Sequence, residues 1–347
     1  MKPRSSKLAL KTRRDAVQSM TTFAHVPVLR DEVVAWFAPV PAGWVVDATL
    51  GGAGHARAIL DAHPHLSVLG IDRDPAAIDA ATDRLAPYGT RARVVRARFD
   101  DLARVASGLV VSGVLLDLGV SSVQFDEPAR GFSYRSDAPL DMRMDPTSGF
   151  SAAELLQLAS VDEVARILRE YGDERFAFRI ATAIVREREA NRLVDTTARL
   201  VEVVTAAIPA ATRRTGGHPA KRSFQAIRIA VNAELDVLGP TVDAAINSLT
   251  GNGRLVVISY HSGEDRIVKD RLRLAETGGC TCPPGLPCTC GALPRGRALR
   301  RSVTRPGQAE INTNPRAASA LARVFVKFDS INDPPNDPPN DPQGANR

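Results

Sequence analysis

From about residue 40 the chain alternates short apolar runs with stretches of helical period. The runs are apolar throughout and not merely at every second position. Trp44-Val45-Val46-Asp47, Ser67-Val68-Leu69-Gly70-Ile71-Asp72, Arg93-Val94-Val95-Arg96 and Val114-Leu115-Leu116-Asp117 read as four strands. Strands apolar on both faces belong to a parallel sheet covered on both sides. Between them, a helix runs through Ile59-Leu60 after a glycine-rich turn, and Ala76 to Leu85 reads as another. This order predicts an α/β fold with a right-handed, doubly wound sheet.

The alternation stops near Ser151. Up to Pro209 the signal is all helical: Ser151 with Glu154 three residues on forms a capping box, and Phe176 to Glu189 and Thr196 to Ile208 are amphipathic. Strand signals return at Arg254-Leu255-Val256-Val257-Ile258-Ser259 and Arg323-Val324-Phe325-Val326-Lys327-Phe328. An all-helical domain inserted into a Rossmann-like sheet accounts for this order. A single helix from Phe224 to Leu238 is expected to pack back on the sheet. The expected divisions are a basic disordered tail at 1–22, the first part of the sheet domain at 23–135, and a helical substrate domain at 136–215. The second part of the sheet domain then runs over 216–330, and a disordered tail over 331–347.

Charge changes the picture less than its total suggests. The formal net charge is +6, but residues 1–20 hold six Lys and Arg against one Asp and so supply +5 of it. The repeated Asn-Asp-Pro-Pro tail removes two, which leaves a body of about +3 that does not by itself announce nucleic-acid binding. Two local clusters carry more meaning: Arg213, Arg214, His218, Lys221, Arg222 and Arg228, then Arg295, Arg297, Arg300, Arg301 and Arg305. Each also has the plainer reading of a solvated loop. No apolar run reaches the ~18 residues of a membrane span, and the basic N-terminus lacks the apolar stretch of a signal peptide, so a cytoplasmic enzyme is expected.

Asp47-Ala48-Thr49-Leu50-Gly51-Gly52-Ala53-Gly54-His55 lies between a strand and a helix, where glycines let the backbone approach a ligand. Asp72 ends the next strand, the place of a ribose-binding carboxylate. A dinucleotide site would carry a third glycine where Arg57 stands, and no Gly-Lys-Ser/Thr follows for a phosphate loop. The remaining fit is S-adenosylmethionine.

Several strings together resemble one family. They are Asp47 to His55, Ile71-Asp72-Arg73-Asp74-Pro75, Leu115 to Ser122, Arg130-Gly131-Phe132-Ser133, Pro139-Leu140-Asp141-Met142-Arg143-Met144-Asp145-Pro146, Tyr171 to Arg175, Phe224 to Arg228 and Ser259-Tyr260-His261-Ser262. In order from about Phe23 to Phe328 they resemble the ribosomal RNA small subunit methyltransferase H (MraW) family. The resemblance implies a class I methyltransferase that uses S-adenosylmethionine to methylate N4 of a cytidine in the decoding region of 16S rRNA, with the small ribosomal subunit as partner. It also implies cofactor contacts at Ala53, Gly54, His55, Asp72, Phe99, Asp117 and Gln124. An acceptor for the N4 proton is not implied, because Asp117-Leu118-Gly119-Val120 departs from the Asp/Asn/Ser-Pro-Pro-Tyr/Phe motif of many amino methyltransferases. Asp117 and Asp141 are the catalytic candidates, with Phe132 or Tyr134 to stack on the base. Gly263 stands where the family usually has leucine. The rival readings are a small-molecule methyltransferase capped by the insert and a non-catalytic ribosome-assembly factor. The intact glycine loop with Asp72 argues against the factor, and the basic clusters weakly against the small molecule.

All four cysteines fall between 280 and 290, as two Cys-x-Cys pairs across a Pro/Gly turn. Cys280, Cys282, Cys288 and Cys290 are candidates to hold a structural Zn²⁺, although the spacing is tighter than the usual Cys-x₂₋₄-Cys.

Overall fold

The computed structural model describes residues 27–121, 124–125, 127–212, 217–283, 289–299 and 303–329. Both tails, Arg213, Arg214, Arg300, Arg301 and Cys288 lie outside the described residues.

A seven-stranded sheet forms the frame. Its strands are β1 (Gly43–Asp47), β2 (Leu66–Asp72), β3 (Ala92–Arg96), β4 (Val111–Asp117), β5 (Leu249–Ser259), β6 (Gly296–Ala298) and β7 (Leu321–Lys327). Their order is β3-β2-β1-β4-β5-β7-β6. The first five run parallel, and β7 returns antiparallel between β5 and β6. The four strands read from apolar runs are all present; the short β6 has no such run and was not foreseen.

Each face of the sheet has its own core. Val45, Leu115 and Val256 pack with Trp36, Phe37, Ile59 and Leu60 on one side, and Val46, Leu116 and Val257 pack with Leu238, Val242 and Ile246 on the other. This two-sided burial is why β1 and β4 carry no polar alternation.

Between β4 and β5 lies a third core, built on helices Ala152–Leu158, Val161–Gly172, Ala177–Glu189 and Thr197–Ala207. Ser151 and Glu154 form the expected capping box. The helix expected over Phe224 to Leu238 is instead two. Lys221–Asn232 ends at Ala233, which takes a left-handed φ of 50°, and Glu234–Ser248 begins anew. The first half places Phe224, Ala226 and Ile227 in the insert's core, and only the second half packs on the sheet. Asn232 fills the break: its side chain accepts from the Met144 amide at 2.8 Å and donates to the Met142 carbonyl at 2.7 Å.

Candidate active site

The chain leaves β1 in one direction across the sheet toward β2 and β3, and in the other toward β4 and β5. Ligands of open α/β sheets bind at the carboxyl ends of the strands flanking such a reversal. Asp47 ends β1, Asp72 ends β2 and Asp117 ends β4, so three carboxylates converge on that edge.

The glycine turn is held open by backbone strain and by Asp72. Gly51 has φ 48° and Ala53, at the N-cap of helix Gly54–Ala62, has φ 59°. A left-handed alanine is uncommon, and such residues cluster where a loop is shaped for a ligand. Asp72 Oδ2 accepts from the Gly51 amide at 2.8 Å, and Oδ1 accepts from the Asp74 amide at 2.9 Å. Burial raises the Asp72 carboxyl pKa, with those backbone bonds pulling the other way. Asp47 is fully buried, and burial pushes its carboxyl up to about 7.

Asp117 is the most fully arranged of the three. Its amide donates to Thr49 Oγ1 at 2.7 Å, which ties the ends of β1 and β4 together. Oδ1 accepts from the Tyr260 hydroxyl at 2.9 Å, and Oδ2 lies 3.6 Å from His55 Nε2. Burial, then the neighbouring Asp117 charge, raises the Tyr260 phenol far above its ordinary pKa, so it remains a donor. His55 is 6% exposed, and neither ring nitrogen has a hydrogen-bond partner among the described residues. A buried imidazole with both nitrogens unsatisfied is costly unless a ligand meets one of them. These residues therefore fit a polar, partly cationic cofactor such as S-adenosylmethionine.

Phe99 opens a short 3-10 turn after β3 and is packed at the edge of the sheet's second core. Gln124 is buried and internally engaged: its Nε2 donates to Asp74 Oδ2 at 3.0 Å, and its Oε1 accepts from the Ser121 amide at 3.1 Å. Asp141 lies in the loop before the insert, where Arg143 takes both oxygens, Nε to Oδ1 at 2.9 Å and Nη2 to Oδ2 at 2.7 Å. The arginine holds that carboxyl below its ordinary range, although partial burial opposes it.

The two aromatic candidates separate. Phe132 is buried in the insert's core beneath Arg130, whose guanidinium lies 5.9 Å from its ring centroid, so its ring is packed into that core and not presented at an open face. Tyr134 is half-buried and stacks on His218 at 4.4 Å. Of the basic clusters, Arg228 is withdrawn from any surface role: it forms a two-bond pair with the buried Glu234 at 2.9 and 3.0 Å. Lys221 and Arg222 remain exposed. At Gly263 a side chain would start 3.1 Å from His261 Nδ1, so in this chain the His261 ring occupies the room a larger residue would need.

Sequence reasoning assigned no role to Tyr260, Thr49, Asp74 or Arg130. The positions of Tyr260 and Thr49 just past strand ends were the available signal. Asp74 and Arg130 form a buried pair at 2.9 Å across 56 residues, which no local pattern announces.

A reversal-point site with a glycine turn and strand-end acids, on five parallel strands bordered by an antiparallel one, defines a class I methyltransferase. The chain belongs to the MraW methylase family, whose model matches residues 22–328. It is 50% identical over 314 residues to the ribosomal RNA small subunit methyltransferase H of Symbiobacterium thermophilum, an alignment covering 89% of this chain and 98% of that protein. It is 52% identical over 307 residues to the protein of the same name from Saccharopolyspora erythraea, covering 86% of this chain and 92% of that one. Among solved structures, a putative rRNA methylase from Clostridium thermocellum matches with a TM-score of 0.40 and 11% identity, over 88% of this chain and 100% of that one. Likeness that distant adds nothing to the topology read directly from the strands.

Proposed function

We propose that the protein transfers a methyl group from S-adenosylmethionine to N4 of a cytidine in the decoding region of 16S rRNA, acting in the cytoplasm on the small ribosomal subunit. The observation that carries the chemical part is the setting of Asp117, held between Tyr260 and His55 at the reversal point of the sheet.

Bound S-adenosylmethionine supplies a methyl group already activated on a sulfonium. The protein's task is to hold the acceptor in line and take a proton from a weakly nucleophilic exocyclic amine. Positioning of that kind contributes roughly 7–11 kcal/mol. Ala53, Gly54 and His55 are the loop contacts in this reading, with Asp72 for the ribose, Phe99 for the adenine face and Gln124 as the remaining contact. Asp117 accepts the N4–H hydrogen bond as the nitrogen rehybridises, and the Tyr260 hydroxyl keeps its carboxylate turned to the site. Asp141 is the weaker acceptor, because Arg143 occupies both of its oxygens. The base must leave its stack to reach the pocket. Tyr134, stacked with His218 beside exposed Lys221 and Arg222, supports the insert as the RNA-facing part.

Labelled S-adenosylmethionine incubated with small subunits lacking the modification, followed by nucleoside analysis, tests the reading. N4-methylcytidine is expected, and Asp117→Asn should lower the rate by about 10²–10⁴-fold, the range for loss of a general base. A different methylated nucleoside overturns the proposed reaction. An Asn variant as fast as the parent removes Asp117 as the acceptor.

A further inference from the structure

The segment between helix Ser262–Thr277 and β6 is a long excursion with closely held ends. The Arg295 amide donates to the Ala275 carbonyl at 2.8 Å, and the Ala298 amide donates to Glu276 Oε1 at 2.5 Å. The helix stops on two successive left-handed glycines, Gly278 at φ 60° and Gly279 at φ 77°. A side chain at Gly278 would start 2.5 Å from the Leu293 backbone, so the returning chain presses directly against the helix end.

Between those clamps, the described residues place nothing apolar in a core. Among the described residues from 277 to 298, no hydrophobic side chain is buried, and Leu293 is 58% exposed. A loop without a core contribution needs another source of order, as small domains use disulfides or metals. Three of the chain's four cysteines lie among this loop's described residues. Cys280, Cys282 and Cys290 have sulfur atoms that all fall within 4.8 Å of one another. A tetrahedral ion with metal–sulfur bonds of about 2.3 Å places its sulfurs roughly 3.8 Å apart, so small side-chain rotations bring these three onto one centre. The Thr289 amide donates to Cys282 Sγ at 3.4 Å, the kind of outer bond that orients a ligand and steadies its negative charge.

We propose that Cys280, Cys282 and Cys290 form a thiolate site for one Zn²⁺ that staples this loop against the end of helix Ser262–Thr277. Thiolate donors select soft or borderline metals over Mg²⁺ or Ca²⁺, and Zn²⁺ takes tetrahedral sulfur coordination without redox chemistry. Each ligating thiol gives up its proton to solvent, so occupancy rises with pH. The ion is structural. It orders the segment leading to Arg295 and Arg297, and no step of methyl transfer passes through it.

The test uses the full chain purified without chelator. Elemental analysis should find about one zinc per chain, and Cys282→Ser and Cys290→Ser should each fall below about one-tenth equivalent. Calorimetric binding of S-adenosylmethionine, unchanged in both variants, shows that they fold. Cobalt added to metal-stripped protein should produce a thiolate-to-cobalt charge-transfer band, lost in the same variants. Less than about one-tenth equivalent in the parent, with no such cobalt band, overturns the site, as does full occupancy in Cys282→Ser. A disulfide among the three cysteines in freshly purified protein overturns it too.

Discussion

In the sheet, Leu116 on β4 lies beside Val257 on β5, and both bury fully against Val242 and Ile246 of one covering helix. In the insert, Leu168, Ile180 and Leu200 make an equally dry core. What joins the two regions is polar. Arg130 donates to Asp74 Oδ2 at 2.9 Å on the sheet side, and to the carbonyls of Arg143 and Met144 at 3.0 and 2.9 Å on the insert side. Asp74 in turn caps helix Pro75–Leu85 and donates its amide to Asp72. Apolar packing makes each region stable, and a buried ion pair sets the register between them. Because one end of that pair contacts the Asp72 edge of the site, the insert's position and the cofactor pocket are linked.

The largest effect expected from breaking this comparison is at Arg130. Arg130→Met leaves the Asp74 carboxylate buried without its cation, and removing one partner of such a pair costs about 3–5 kcal/mol. Urea unfolding should show that loss, and the affinity for S-adenosylmethionine should fall with it. Stability within about 1 kcal/mol of the parent would mean that apolar contacts alone hold the insert in place.

A smaller effect sharpens the sheet side. The Asp47 carboxyl is raised by burial to about 7, so between its ordinary value of 3.8 and 7 the folded chain keeps a proton that the unfolded chain has lost. The stabilising contribution is fully present below that window and is lost as pH rises through it, at no more than about 1.4 kcal/mol per pH unit. Asp47→Asn should flatten the slope of urea midpoints against pH across the same window. An unaltered slope would place the titration elsewhere.

The smallest effect belongs to the insert alone. Ser151→Ala deletes a capping box on helix Ala152–Leu158 and should cost about 1 kcal/mol. Hydrogen exchange should quicken in that helix and remain slow in β1 and β4. Faster exchange in the strands would show that the two regions unfold together.

Much of this was legible along the chain. The apolar runs of β1 to β4, the capping box at Ser151 and the glycine turn before Gly54 are properties of neighbouring residues, since strands and helices are built from local backbone geometry and repeat. The turn and Asp72 were readable together as a candidate cofactor edge, whereas Asp117 entered only through the family resemblance. The break at Ala233 was hidden, because Lys221–Asn232 and Glu234–Ser248 are both helical in pattern. What separates them is an asparagine side chain bound to Met142 and Met144, some 90 residues away. Tyr260 reaches Asp117 across 143 residues, and Arg130 reaches Asp74 across 56. Which polar side chains are neutralised in the interior, and so which remain for chemistry, depends on such long-range pairs. The fold brings them together, and desolvation makes each pairing count. By itself the sequence determined every strand but β6, the helical character of the insert and their order, and it pointed to the carboxyl ends of the strands as the candidate cofactor edge. Only the tertiary structure decided that Arg228, Phe132 and Asp141 are occupied, and that His55, Asp117 and Tyr260 face one another.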